Sequence, residues 1–274
     1  MKRLLIALGL LAVVSSCTDT KPTEEVISKP VKEDHSAPAI TYSLVATTPH
    51  DTLAFTEGLL FYNDQLFEST GAPEYMPQAR SLFGIVDMKT GKIDVKVELD
   101  KKTYFGEGIV ILNGKIFQLT YKNQLGFIYD AKTYKKIGEF SYANKEGWGM
   151  TTDGTNIIMS DGSNVLFYLD PNTQKVIKTL QVSDDGFAED YLNELEFING
   201  YIYANIWNKN FIVKIDPATG KVLGRMDLTI LCNSARAKFR NGLEMNGIAY
   251  DAKNDRIYVT GKFWPDLYQI NFAH

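Results

Sequence analysis

From Tyr42 onward, short apolar runs alternate with Gly, Asn and Asp turns, a rhythm of half-buried strands rather than of helices. The stretch from Leu192 to Trp207, LNELEFINGYIYANIW, shows the unit. Two alternating runs flank Asn199-Gly200, a pair that tolerates positive φ at both central turn positions, so a hairpin is predicted. Five stretches open alike: Gly58-Leu-Leu-Phe-Tyr, Gly108-Ile-Val-Ile-Leu, Gly149-Met-Thr-Thr-Asp, Glu194-Leu-Glu-Phe-Ile and Gly247-Ile-Ala-Tyr-Asp. Each runs into a tight turn, at Asn63-Asp64, Asn113-Gly114, Asp153-Gly154, Asn199-Gly200 and Asn254-Asp255. Most continue into a third strand ending in Asp, such as Leu166-Phe-Tyr-Leu-Asp, and a more polar fourth, such as Lys175-Val-Ile-Lys-Thr-Leu. Four short antiparallel strands repeated at this period make a propeller blade, so the pattern predicts an all-β, five-bladed β-propeller. The last unit stops after three strands, at Leu267-Tyr-Gln-Ile-Asn. The leading strand Tyr42–Thr47 has no other partner and is expected to complete that blade and close the ring. One insertion, Thr229 to Met245, suits a short helix or ordered loop on the rim of one face.

The first residues follow another logic. Lys2 and Arg3 precede an apolar run, Leu4 to Val14, that is too short to span a bilayer, and Ser15-Ser16-Cys17 follows. That ending resembles a bacterial lipobox, which makes residues 1–16 a signal peptide and Cys17 the lipidated new N-terminus. Residues 17–39 are polar, charged and Pro-containing, and are expected to form a flexible tether to a catalytic domain at 40–274. The protein is therefore expected in the bacterial cell envelope, on the periplasmic or outer-membrane side, as a monomer touching the membrane only through the lipid on Cys17. Cys232 is then the one cysteine of the folded part, expected as a small buried apolar residue.

Composition narrows the chemistry. A hydrophobic share of 45% is enough for one full core, and a formal charge of -4 spread along the chain leaves no nucleic-acid footprint. The histidines, His35, His50 and His274, fall in the tether, the first loop and the last position, so no zinc cluster is expected. No Gly-x-Ser-x-Gly elbow, phosphate loop or redox cysteine pair occurs. What stands out lies where the units open: Glu57, Glu107, Trp148, Asn193 and Asn246 hold equivalent positions in successive units. First strands line a propeller's channel, so five blades aim polar or aromatic groups at one place. Glycines beside Glu57, Glu107 and Trp148 are expected to let the backbone approach a ligand.

The ordered motifs Phe55-Thr-Glu-Gly-Leu, Phe67-Glu-Ser-Thr-Gly, Phe105-Gly-Glu-Gly, Gly147-Trp-Gly, Ser160-Asp-Gly, Leu192-Asn-Glu-Leu-Glu, Ala204-Asn-Ile-Trp, Met245-Asn-Gly-Ile-Ala and Val259-Thr-Gly-Lys-Phe-Trp-Pro carry a resemblance. Over essentially all of Tyr42 to Asn271 the chain resembles the plant and bacterial type of glutaminyl-peptide cyclotransferase. The resemblance implies a five-bladed propeller that converts N-terminal glutamine of peptides and proteins to pyroglutamate, releasing ammonia. It implies no required cofactor and no catalytic zinc of the kind the animal enzymes use. By match to the motifs, Glu107 is the acid/base residue, and Phe105, Trp148, Asn193, Trp207 and Lys262 form the pocket, with Phe55, Glu57 and Tyr121 beside them. Two positions depart from the pattern: Glu57 stands where many relatives have Gln, and Tyr121 where the plant enzymes place Trp. Both touch the expected site and would retune substrate choice or pH optimum.

The reaction joins two groups already tethered, so an aromatic pocket that fixes the folded rotamer would gain by proximity. A free α-amine, with a pKa of about 8, needs a base before it attacks. The departing amide nitrogen needs an acid, and one carboxyl group, that of Glu107, serves both steps. Lys262 or the Asn193 amide would stabilise the oxyanion. Two other classes fit a propeller: a non-catalytic binding lipoprotein, and a calcium-dependent lactonase-like hydrolase using Glu57, Asn193 and Asn246. Five units rather than six and the aromatic-rich motifs weigh against the hydrolase. A structural calcium in the channel is compatible with the sequence and not required by it.

Overall fold

Each of the five units folds into a four-stranded antiparallel sheet whose strands pass from wholly buried to solvent-facing as the chain moves outward. The computed structural model describes residues 37–274; the predicted signal segment, Cys17, His35 and nearly all of the tether lie outside the described residues. The first strands are Phe55–Tyr62, Gly106–Leu112, Met150–Thr152, Leu192–Ile198 and Met245–Asp251. Covered on both faces, they read as nearly continuous apolar runs. The fourth strands of the first four blades, Ile93–Glu98, Lys136–Ser141, Val176–Gln181 and Val222–Asp227, face water and carry the charges that blunt an exposed sheet edge. Their polarity in the sequence has that cause.

First strands touch in cyclic order, the fifth returning to the first, which makes the ring. The core lies between blades rather than at the centre: Leu60, Phe67 and Phe83 of the first blade meet Ile109, Ile116 and Phe127 of the second. Burying a side chain of this size contributes ~1.5–3 kcal/mol, so the ring is held by its side walls. The channel is left free for polar groups.

Closure follows the expected route. Ser43–Pro49 pairs antiparallel with Asp266–Asn271, Ser43 opposite Asn271 and Pro49 opposite Asp266, and completes the fifth blade. Three of the expected turns have both central residues at positive φ: Asn63-Asp64, Asn113-Gly114 and Asn199-Gly200. At the other two only Gly154 and Asp255 do. There the Asp153 and Asp251 carboxylates accept backbone N–H groups from Asn156 and Asn254, and a longer turn built on a side chain replaces the two-residue one.

The insertion folds into a helix, Thr229–Lys238, that buries Leu231, Cys232 and Ala235 against the fourth and fifth blades. Burial pushes the Cys232 thiol up to about 12, so it is packing rather than a nucleophile. Upstream of the closing strand, Ile40 donates to the Arg225 carbonyl at 2.7 Å and Arg225 returns a bond to the Pro38 carbonyl at 2.9 Å. Among the described residues no helix is long and apolar enough to cross a membrane.

Candidate active site

Within a blade the first two strands are antiparallel, so the loop entering the first and the loop leaving the second meet at one end of the ring. From entering segments come Phe55, Glu57, Phe105, Glu107, Trp148 and Asn193; from leaving segments come Tyr121, Trp207 and Lys262. All of them line one cavity of ≈ 340 Å³. The register shows how the polar ones are aimed. Four first strands carry a β-bulge at the opening, spanning Glu57, Glu107, Asn193 and Asn246. A bulge adds one unpaired residue and re-aims its side chain, here toward the channel mouth for Glu57, Glu107 and Asn193.

Asn246 departs from the expectation that all five openings converge on one place. It does not line the cavity. Its bulge turns it toward the first blade, where Nδ2 donates to the Thr56 carbonyl at 2.9 Å and to Glu57 Oε2 at 3.0 Å. It thus supports Glu57 from below, while Lys262 and Glu244 supply the fifth blade's share of the wall.

The glycines also do other work than expected. A Cβ on Gly108 would lie 2.5 Å from the Trp148 carbonyl oxygen, and one on Gly149 would lie 2.1 Å from that of Asn193. Each glycine lets the next blade's opening close in, so the crowding is between blades and not against a ligand.

Two aromatic sets wall the cavity. Phe105 stands 5.7 Å from Phe55 and 5.8 Å from Tyr121, and Trp148 meets Trp207 edge-on at 5.8 Å. Both indole N–H groups end on carboxylates, Trp148 on Glu146 at 2.9 Å and Trp207 on Glu244 at 3.2 Å, which fixes the rings. Tyr75, Asn208, Leu243 and Glu244 line the cavity too and were not among the expected residues. They sit in irregular loops where periodicity gives no signal. Leu243 and Glu244 belong to the insertion expected at the rim.

The charges meet at Lys262. Its ammonium lies 3.0 Å from Glu57 Oε1, 3.2 Å from Glu244 Oε1 and 4.5 Å from the centre of the Phe55 ring. Burial works against that charge, but Glu57, Glu244 and Glu107 outweigh it and hold Lys262 above the usual lysine range. Burial pushes Glu57 up to about 7 against the pull of Lys262, with Glu244 adding to the rise. Glu107, 4% exposed, is pushed well above the carboxylic range by burial and then by the neighbouring Glu57, with which it shares a hydrogen bond. At neutral pH the pair therefore holds a proton that a reacting group can take or return.

Among the residues lining the cavity, one buried side-chain polar atom is left over. Asn193 Oδ1 is buried without a hydrogen-bond partner, an acceptor free for a ligand. Glu57, Asn193 and Asn246 do not converge as metal ligands, because Glu57 accepts from an ammonium on one oxygen and an amide on the other. Among the described residues no group of three or more His, Cys, Asp or Glu is arranged to hold a metal ion.

A family model described as Glutamine cyclotransferase matches residues 10–272. A glutaminyl-peptide cyclotransferase of Arabidopsis thaliana is 42% identical over 229 residues, which cover 83% of this chain and 70% of the relative. The crystal structure of Myxococcus xanthus glutaminyl cyclase aligns with a TM-score of 0.79 at 29% identity, covering 86% of this chain and 98% of that one.

Proposed function

We propose a mechanism for a chain that belongs to the glutamine cyclotransferase family: it converts the N-terminal glutamine of peptides and proteins to pyroglutamate and releases ammonia. The observation that carries the mechanism is the buried Glu57–Glu107 pair set beside the Lys262 ammonium under an aromatic wall. The aromatic residues hold the glutamine side chain folded back on its own α-amine, so that nitrogen and carbonyl carbon meet as an intramolecular pair. Asn193 Oδ1 accepts an N–H of the amine and orients its lone pair.

The amine nitrogen attacks the side-chain carbonyl carbon, and the π electrons move onto oxygen. Lys262 faces that oxygen with a donor still available beyond its two carboxylate partners. Glu107 gives its resting proton to the departing nitrogen and, as the carboxylate, takes one from the attacking nitrogen, ending the cycle protonated as it began. The C–N bond breaks, the carbonyl re-forms, and ammonia leaves. Glu57 keeps the proton on Glu107 until substrate arrives, through its charge and its hydrogen bond. The steps use this chain's own side chains and no cofactor.

Purified domain incubated with a Gln-initiated dipeptide should release one ammonia per pyroglutamyl product, with or without a chelator. A bound but unchanged dipeptide would instead make the protein a binding module. We further place the protein at the cell envelope as a monomer, held by a lipid on Cys17. Labelled fatty acid should be incorporated by the full chain and not by its C17S variant; equal labelling of both would refute the anchor.

A further inference from the structure

Behind the site lies a charged pair that the mechanism leaves unused. His50 follows the closing strand, and its ring is fully buried against Glu68 of the first blade's second strand, Gln65–Gly71. Nε2 lies 3.0 and 3.1 Å from the two Glu68 oxygens, and Nδ1 lies 2.8 Å from the Trp264 carbonyl oxygen. A carbonyl only accepts, and so does a carboxylate, so both ring nitrogens must donate. The ring is then an imidazolium. Glu68 and Asp51 are the charged groups whose field favours that form against burial, and the fifth blade presents the Trp264 carbonyl to the ring.

The contacts on either side of this pair lead to both halves of the Lys262–Glu57 bridge. On one side, His50 holds the loop that carries Lys262, through the ring to Trp264 and through its backbone N–H to the Pro265 carbonyl at 2.9 Å. That loop needs holding: Phe263, next to Lys262, sits at φ 59°, a conformation unfavourable for a bulky side chain. On the other side, Glu68 Oε1 accepts from Thr56 Oγ1 at 2.7 Å, and Thr56 directly precedes Glu57.

We propose that His50, as an imidazolium clamped between Glu68 and the Trp264 carbonyl, is a positioning residue that sets Lys262 against Glu57. The proposal rests on the cyclase reading for its kinetic consequence and not for its structural one. Gln at position 50 cannot span both partners. H50Q should therefore lower kcat by ~10–100-fold, the range expected when reacting groups are displaced by about an ångström. KM should move less than about threefold, because the aromatic pocket is untouched. E68Q, in which a neutral His50 ring still donates to the Trp264 carbonyl and accepts from the amide introduced at position 68, should lose much less kcat than H50Q. Nitrogen NMR of histidine-labelled protein at pH 7 should show His50 with both ring nitrogens protonated. A neutral His50 ring, or a folded H50Q with wild-type kcat, would overturn the proposal. If H50Q fails to fold, the NMR result on the unmodified protein decides. Absence of ammonia from the unmodified protein would strike the cyclase reading and leave the NMR result standing.

Discussion

Two pairs of buried carboxylates sit on the first strands of this ring, and they differ in what faces them. At the mouth, Glu57 and Glu107 face each other, the Lys262 ammonium and an open cavity. On the fourth blade, Glu194 and Glu196 face backbone. Glu194 accepts from the N–H of Leu59 at 3.1 Å and of Ile248 at 2.8 Å, and Glu196 from that of Tyr250 at 2.7 Å. Burial is the largest cause of a raised pKa in both pairs. A raised pKa alone therefore does not mark the acid that does chemistry. What distinguishes the mouth pair is a mobile proton with an empty space next to it, whereas the other pair is tied to blade edges that would otherwise carry orphan donors.

Substitutions can break this contrast. The largest stability effect is expected from E194L, which strands two buried N–H groups and should lower unfolding free energy by roughly 2–5 kcal/mol in a urea titration. Turnover per folded molecule should stay near wild type; an unchanged midpoint would mean the tie carries no load. E57Q should leave the fold intact and reduce turnover by less than the ~10²–10⁴-fold typical of a lost acid/base group. With the Glu57 charge gone, one cause of the raised Glu107 pKa disappears, so the alkaline limb of kcat/KM, where Glu107 loses its resting proton, should move to lower pH. A limb that stays put would separate the two carboxylates.

The smallest effect is expected from E196Q. Burial pushes Glu196 up to about 8, well above its value in the unfolded chain. The folded state then holds the extra proton, so this group's contribution to stability is complete below about pH 4.5 and is lost as pH rises through about 8. A glutamine keeps the acceptor for Tyr250 and never ionises. The variant's Tm should exceed wild type by roughly 2–4 °C at pH 9 for each kcal/mol of relief, and match it at pH 5. Equal Tm values at pH 9 would mean that Glu196 is not strained by ionisation.

Much of this contrast was legible in the sequence. Blade number came from apolar runs separated by Gly, Asn and Asp turns, because a strand covered on both faces is largely apolar. Ring closure came from one strand without a local partner. Glu57 and Glu107 stood out as carboxylates beside glycines in otherwise apolar openings. Other features depend on geometry that a one-dimensional pattern does not hold. Glu244, Tyr75 and Asn208 reach the cavity from irregular loops, and Asn246 turns away from it through a bulge. The glycines around the mouth had been assigned to a ligand, yet they face the next blade, a contact between residues far apart in sequence. His50 and Glu68 show the same limit, since each alone reads as an ordinary loop or strand residue.

The central claim is that Glu107 moves the proton between the attacking and departing nitrogens. E107Q keeps size and hydrogen bonding but cannot shuttle a proton. Ammonia release from a Gln-initiated dipeptide should fall by at least ~10²–10⁴-fold in E107Q, with Tm and dipeptide affinity close to wild type. Turnover within a few-fold of wild type in that variant would contradict the account.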